Sequence, residues 1–262
     1  MDSKRYLTYL MRVLKSVTDR KYFDCDFHIH TCLSPCADIT MVPGAVGKRL
    51  SELGIDWIAI TDHNTCGNVR VFKNALKKRG IEVIPGIEVQ SLEDVHILGY
   101  FSSVDLAENY SRWLEKKMKK VLVDPEKFGY QLYVDENDEY YEMENVWLGQ
   151  PVNLNISEVF SSIDEFGGIA AFAHIERKMG VLYQMGFIPD MKIKPIIEVT
   201  FKKTISENNY VKNYPVIHSS DAHNIGMLKP TLKIDTNKRT YSNFKTIIKN
   251  TYSRDKVKII WD

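Results

Sequence analysis

Apolar positions along the chain fall into two rhythms. Near the N-terminus Tyr6, Leu7, Leu10, Val13, Leu14 and Val17 recur at three- and four-residue spacing, which predicts an amphipathic helix in the span 1–21 with a basic, solvated outer face. From there short apolar runs at 23–28, 57–61, 82–89, 95–101, 169–174, 195–200 and 216–220 read as strands, and the stretches 43–53, 69–79, 157–166 and 241–250 carry helical spacing. Strands alternating with helices predict an α/β fold with a mostly parallel sheet or barrel. The span 106–155 breaks the rhythm. A charged helix around 113–121 precedes two strand-like runs, 130–134 and 140–143, joined by the acidic turn Asp135-Glu136-Asn137-Asp138-Glu139. The span reads as an insertion, or cap, with a β-hairpin inside a single domain covering 1–262, because roughly 50 residues bury little core alone.

Composition narrows the function classes. With 262 residues, 44% hydrophobic and 26% charged, the chain has the material for a full globular core. Lysine and arginine total 35 against 34 acidic residues, a net charge of +1, so no overall field draws the molecule to long nucleic acid or to an anionic membrane. No apolar run reaches the roughly 18 residues of a membrane span, and the first residues lack an apolar signal region. The expectation is a cytoplasmic protein with no membrane partner. Cys25, Cys32, Cys36 and Cys66 are too few for a disulfide scaffold and suit a reducing compartment.

The candidate chemistry lies in seven histidines, nearly all at a predicted strand end beside an acidic residue or a second histidine. Positions two apart on a strand project to the same side, so His28 and His30 are placed to grip one ion, and Asp221 with His223 repeats the spacing. Between them stand Asp62-His63, Glu88, His96 and His174, each where strands end, the edge at which α/β folds assemble active sites. A solitary histidine such as His96 or His174 is more often a hydrogen-bonded, partly buried side chain than a ligand, and it is the convergence of the whole set that argues for metal. His218, inside a strand, reads as structural. Asp62, adjacent to His63, faces away from it by strand alternation, and Asp26 stands just before His28 and His30 on the same strand; both suit carboxylates that orient imidazole N–H groups. Arg177, three residues past His174, is the candidate to fork phosphate oxygens, with a solvated charge as its plain alternative; the same holds for Lys178 and Lys48. Glu198, at another strand end, suits a substrate hydroxyl or a ligand imidazole. The spacing Cys32-x-x-x-Cys36 lacks the second pair a zinc clip needs.

The ordered series Asp26-Phe27-His28-Ile29-His30-Thr31, Thr61-Asp62-His63-Asn64, Gly86-Ile87-Glu88, Val95-His96-Ile97-Leu98-Gly99, Ala173-His174 and Ser220-Asp221-Ala222-His223 resembles the polymerase and histidinol phosphatase (PHP) superfamily, over about 24–223. It is similar above all to that superfamily's bacterial metal-dependent phosphoesterases. The resemblance implies a distorted seven-stranded (β/α) barrel and a cluster of two or three divalent metal ions. It implies that His28, His30, Glu88 and Asp221 hold one ion, that Glu88 bridges to a second held by His96 and His174, and that His63 and His223 hold a third. The third ion takes one more ligand from the loop Cys32-Leu33-Ser34-Pro35-Cys36-Ala37-Asp38, either Asp38, a hard carboxylate suited to Zn, Mn or Fe and the favoured reading, or Cys36. The function so implied is hydrolysis of a small phosphomonoester, a nucleotide or sugar phosphate, by metal-bound hydroxide, with Asp26, Asp62 and Arg177 in support. Relatives sharing such a cluster leave two enzymatic alternatives, an exonuclease on short oligonucleotides and a histidinol-phosphate phosphatase. A non-catalytic metal-binding scaffold or interaction module is the rival from another class.

Overall fold

The computed structural model describes residues 21–192, 194–250 and 256–261. Apart from Lys21, which opens a strand, the helix expected over 1–21 lies outside the described residues. The strands are β1 (Lys21–Ile29), β2 (Ile55–Ile60), β3 (Glu82–Gln90), β4 (His96–Tyr100), β5 (Leu132–Val134), β6 (Tyr140–Met143), β7 (Ile169–Phe172), β8 (Ile196–Glu198), β9 (Val216–Ile217), β10 (Leu232–Thr236) and β11 (Val257–Ile259). The α-helices are α1 (Pro43–Leu53), α2 (Val69–Lys77), α3 (Val104–Glu115), α4 (Pro125–Phe128), α5 (Ile156–Glu165), α6 (Val181–Met185), α7 (Lys202–Glu207) and α8 (Tyr241–Lys249). Local signals set their ends: α1 starts on a proline and stops at Gly54 with φ 69°, while α5 starts with a reciprocal Asn155/Glu158 capping box.

Among the described residues, nine strands form one sheet in the order β11-β10-β1-β2-β3-β4-β7-β8-β9. It curls until the chain after β9 meets the end of β1, where His30 N–H donates to the Ala222 carbonyl at 3.0 Å. This nearly closed α/β barrel has the expected class, with three differences. The strand count exceeds seven because β10 and β11 extend the sheet, β10 pairing antiparallel along the first half of β1 and β11 antiparallel with β10. The sheet is less parallel than the alternation of strands and helices implies, since β4 runs antiparallel to both β3 and β7. The charged helix expected around 113–121 instead runs from Val104, capped by Ser103, to Glu115. Its apolar face, Ala107, Tyr110 and Leu114, belongs to the main core, so the expected start of the insertion at 106 falls inside a helix of the barrel's own packing. Beyond it, β5 and β6 pair as a separate two-stranded sheet around the acidic turn.

Alternation divides the core in two. Ile58 and Ile60 of β2 pack outward with Val46, Leu50, Phe72 and Leu76 of α1 and α2, while Trp57 and Ala59 point inward. The lower interior is filled by Cys25, Phe27, Trp57, Leu98, Tyr100 and Ala171, plugged by Phe244 of α8. Strict alternation after Cys25 and Phe27 would send His28 and His30 outward. A bulge between Asp26 and Ile29, three residues of β1 opposite two of β2, instead moves Ile29 to the outer core and turns both imidazoles inward above the aromatic plug.

Phe27 meets Trp57 at 5.5 Å and Phe244 at 4.9 Å between ring centroids, both edge to face. Phe27→Ala is therefore expected to cost about 3–5 kcal/mol in chemical denaturation, whereas Tyr140→Ala, on the exposed hairpin, should stay within about 0.5 kcal/mol of the parent.

Candidate metal centre

One rim of the barrel gathers the polar side chains that the strands deliver. His28 and His30 leave β1, and Asp62 and His63 follow β2, whose continuation stays paired with β3 through Glu88 N–H to Asp62 O (3.0 Å) and Asn64 N–H to Glu88 O (2.8 Å). That pairing sets His63 beside Glu88. Because β4 runs the other way, His96 reaches the same rim from the start of its strand. His174 follows β7, Glu198 ends β8, and Asp221 and His223 follow β9. Asn64, His174 and Asp221 carry φ of 53°, 24° and 51°, left-handed backbone that L residues rarely adopt and that tertiary contacts must hold. Gly180 lets the chain double back on His174, since a Cβ there would lie 2.2 Å from the His174 carbonyl oxygen.

Glu88 is the hub and is buried. Its Oε1 lies 3.3 Å from His28 Nε2, 3.0 Å from His96 Nδ1 and 3.2 Å from His174 Nε2. Its Oε2 lies 3.4 Å from His30 Nε2 and 3.0 Å from His63 Nδ1. Asp221 Oδ1 stands 3.2 Å from His28 Nε2 and 3.1 Å from His30 Nε2, and those two nitrogens are 3.1 Å apart. Burial opposes ionisation of Glu88 and Asp221, yet the surrounding imidazoles hold both well below the usual carboxylate range.

Groups behind the ligating atoms determine which nitrogen each imidazole presents. Glu198 stays ionised against its burial because His28 and His174 flank it; its Oε2 accepts from His28 Nδ1 and from the His174 backbone N–H, both at 2.9 Å. Ser34 gives its hydroxyl hydrogen to Asp62 at 2.6 Å, so at 2.9 Å it accepts from His30 Nδ1. Nδ1 of both His28 and His30 thus carries hydrogen, leaving two Nε2 lone pairs facing each other. Asp62 also accepts from Thr31 N and Oγ1, each at 2.7 Å, and so acts on His30 through Ser34 rather than directly. Asp26 touches no imidazole, which corrects the orienting role expected for it. It accepts from Ser220 N at 3.0 Å and from the Ser220 hydroxyl, fixing the segment that carries Asp221, and burial pushes its carboxyl up to about 7 against those hydrogen bonds. Ser34 was missed in the sequence, where a serine in a loop carries no distinctive signal.

The residues present fit divalent cations. His63 Nδ1, His96 Nδ1 and Glu88 Oε2 are buried and lack a hydrogen-bond partner although they stand about 3 Å from one another's groups, because the contacts are out of line. A proton bridges only along a line, whereas a cation requires only convergence. Burial draws His96 down to about 4, against the pull of Glu88, so at neutral pH its lone pair is available. Among the described residues, three sets have ligating atoms within 4.8 Å of one another: His28, His30 and Asp221; His63, Glu88 and His96; and His30, His63 and His223. Imidazole and carboxylate suit Zn, Mn and Fe alike.

The structure leaves Asp38 out of the cluster. Its exposed carboxylate accepts from Thr40 N at 2.8 Å and Thr40 Oγ1 at 2.7 Å, a local turn that spends it, contrary to the favoured reading of the sequence. Cys36, on the same loop, lies with Sγ 3.1 Å from His63 Nε2, and against burial the flanking His63 and His223 bring its thiol down to about 5. Arg177 Nη1 bonds Asp221 Oδ2 at 2.9 Å from the half-exposed side of the cage. His218 bonds the Val199 carbonyl at 2.8 Å.

Against known proteins, a family model described as the PHP domain matches residues 26–248. An uncharacterized protein of Methanocaldococcus jannaschii is 33% identical over 94 residues, 33% of this chain and 54% of that protein. The 5'-3' exoribonuclease Rnm of Escherichia coli is 30% identical over 79 residues, 28% of this chain and 26% of the relative. Among solved structures, the lesion-specific endonuclease PfuEndoQ from Pyrococcus furiosus superposes with a TM-score of 0.67 at 15% identity, over 91% of this chain and 58% of that one, a likeness of fold. The matches thus span about half of the archaeal relatives and a quarter of the bacterial one.

Removing Glu198 strips the partners of both His28 Nδ1 and the His174 N–H. Glu198→Ala is expected to weaken Zn²⁺ binding by roughly 10- to 100-fold in competition with a chromophoric chelator, with Asp38→Ala unchanged from the parent.

Proposed function

Because the chain belongs to the PHP domain family, we propose that it is a metal-dependent phosphoesterase hydrolysing a small phosphomonoester, a nucleotide or a sugar phosphate. The observation that carries this reading is the single buried carboxylate, Glu88, approached by five imidazoles with Asp221 alongside. Divalent ions held by His28, His30, Glu88 and Asp221 and, next to them, by Glu88, His96 and His174 would supply Lewis acidity and lower the pKa of water at neutral pH.

The chain's own groups account for the rest. Glu198 and the Ser34–Asp62 pair lock His28 and His30 with their lone pairs inward, so little reorganisation accompanies turnover. Arg177 spends one N–H on Asp221, and a guanidinium has five; its fork would grip two phosphate oxygens and hold the phosphorus over the cage. No nucleophilic side chain is required, and neither a Gly-x-Ser-x-Gly elbow nor a phosphate-cradling Gly-x-x-x-x-Gly-Lys loop occurs in the sequence.

A second reading, an exonuclease on short oligonucleotides, is favoured by the name of the Escherichia coli relative, a 5'-3' exoribonuclease. Long nucleic acid is disfavoured by the hairpin, which joins the 31–36 loop through Leu132 N–H to Cys32 O (2.9 Å) and carries Asp135, Glu136, Asp138 and Glu139 at its turn.

Chelator-stripped protein reloaded with Mn²⁺ or Zn²⁺ is expected to regain hydrolysis of p-nitrophenyl phosphate and of mononucleotides, and the joint change His28→Ala and His30→Ala to abolish it. With charge-assisted hydrogen bonds worth about 1.5–3 kcal/mol, Arg177→Ala should lower kcat/KM by roughly 10- to 100-fold. Reloaded protein inert on monoesters but active on short oligonucleotides would replace the first reading with the second.

A further inference from the structure

We infer that Cys36 supplies the loop ligand of the outer ion position, so that His63, His223 and a thiolate form a sulfur-bearing pocket unlike the nitrogen and oxygen positions around Glu88. The inference rests on the proposed reading only in taking the rim to bind cations.

The donor atoms support it independently of each other. His223 Nδ1 lies 2.7 Å from the Asp221 carbonyl, which can only accept, so the hydrogen is on Nδ1 and the lone pair on Nε2. His63 is buried, with Nε2 3.1 Å from the sulfur. The His30 ring lies between them, 4.1 Å from the His223 centroid and 4.6 Å from that of His63, and one nitrogen from each of the three rings falls within 4.8 Å of the others.

Backbone bonds hold the sulfur there. Ser34 N–H donates to Thr31 O and Ala37 N–H to Ser34 O, both at 3.0 Å, winding the loop into consecutive turns, and Asp38 N–H donates to His223 O at 2.8 Å. The last bond ties the loop to the segment bearing Asp221 and His223. From the other side Gly129 presses on Pro35 so closely that a Cβ would lie 1.8 Å from the Pro35 carbonyl oxygen. Asp38 adds its backbone N–H to this clamp, while its carboxylate remains engaged by Thr40.

On binding a cation the Cys36 thiol releases its proton to solvent and the sulfur donates an electron pair; nothing is oxidised or reduced. A thiolate with imidazoles selects Zn²⁺, Fe²⁺ or Co²⁺ over Mg²⁺ and Mn²⁺. The outer position is therefore expected to differ in metal preference from the two that share Glu88.

Cobalt gives a readout independent of turnover. Full-length apoprotein titrated with Co²⁺ is expected to develop near-ultraviolet thiolate-to-cobalt charge-transfer absorption. Cys36→Ser should abolish that absorption and remove one equivalent of bound metal. Cys36→His should restore the equivalent without the absorption, and Asp38→Asn should change neither. In the parent protein, bound Zn²⁺ should also shield Cys36 from a thiol-alkylating reagent, located by peptide mass. The inference is overturned if the absorption is absent from the fully loaded parent, if it persists in Cys36→Ser, or if Cys36 alkylates equally fast with and without metal. Protein that shows the Cys36-dependent absorption but cleaves no phosphate ester overturns the phosphoesterase reading alone. Active protein without the absorption overturns this one alone.

Discussion

The arrangement depends on a buried carboxylate that no single partner could compensate. Glu88 sits at the end of the barrel interior with five imidazoles from four other segments of the chain around it. A carboxylate without charge compensation in such a place would take up a proton or destabilise the fold, so the ring of nitrogen atoms is a condition of burying it as much as a device for binding metal. The remaining polar groups can be read as steps that keep this ring in order: Glu198 and Ser34 fix tautomers, Asp62 fixes Ser34, and Asp26 fixes the chain that carries Asp221.

The barrel makes such a concentration of polar atoms tolerable by separating it from the apolar core along one axis. Below lie Phe27, Trp57, Tyr100 and Phe244; above lie the imidazoles, and the transition occurs within β1, where a bulge reverses the alternation between Phe27 and His28. The cost is local strain. Asn64, His174 and Asp221 hold left-handed backbone, each of order 1–3 kcal/mol, at the rim where side chains must be aimed most closely. These are sites where local preference yields to geometry.

Much of this was legible in the residues alone, for a physical reason. Ligands on strands recur at spacing two, and strand ends on one edge of an α/β fold converge, so the pairs His28/His30 and Asp221/His223 and their place on one rim could be read before any coordinates, while the grouping of His28, His30, Glu88 and Asp221 around one ion came from the family resemblance. What local pattern does not encode stayed hidden. The reversed direction of β4 leaves no mark in an apolar run, since antiparallel and parallel buried strands read alike. β10 and β11 are short, and β10 pairs with β1 across most of the chain's length, with β11 on its far side. The preference for Asp38 over Cys36 followed from ligand hardness, whereas the outcome was decided by a turn in which Thr40 captures the carboxylate, a three-residue detail of loop geometry.

The seam that closes the barrel joins residues near opposite ends of the sequence, His30 and Ala222. A chain emerging from the ribosome therefore presents His28, His30, His63, Glu88 and His96 long before Asp221 and His223 exist to complete the cage. Until then the groups around Glu88 lack the edge that Ala222 supplies, and the cage closes only when the segment after β9 docks against the end of β1.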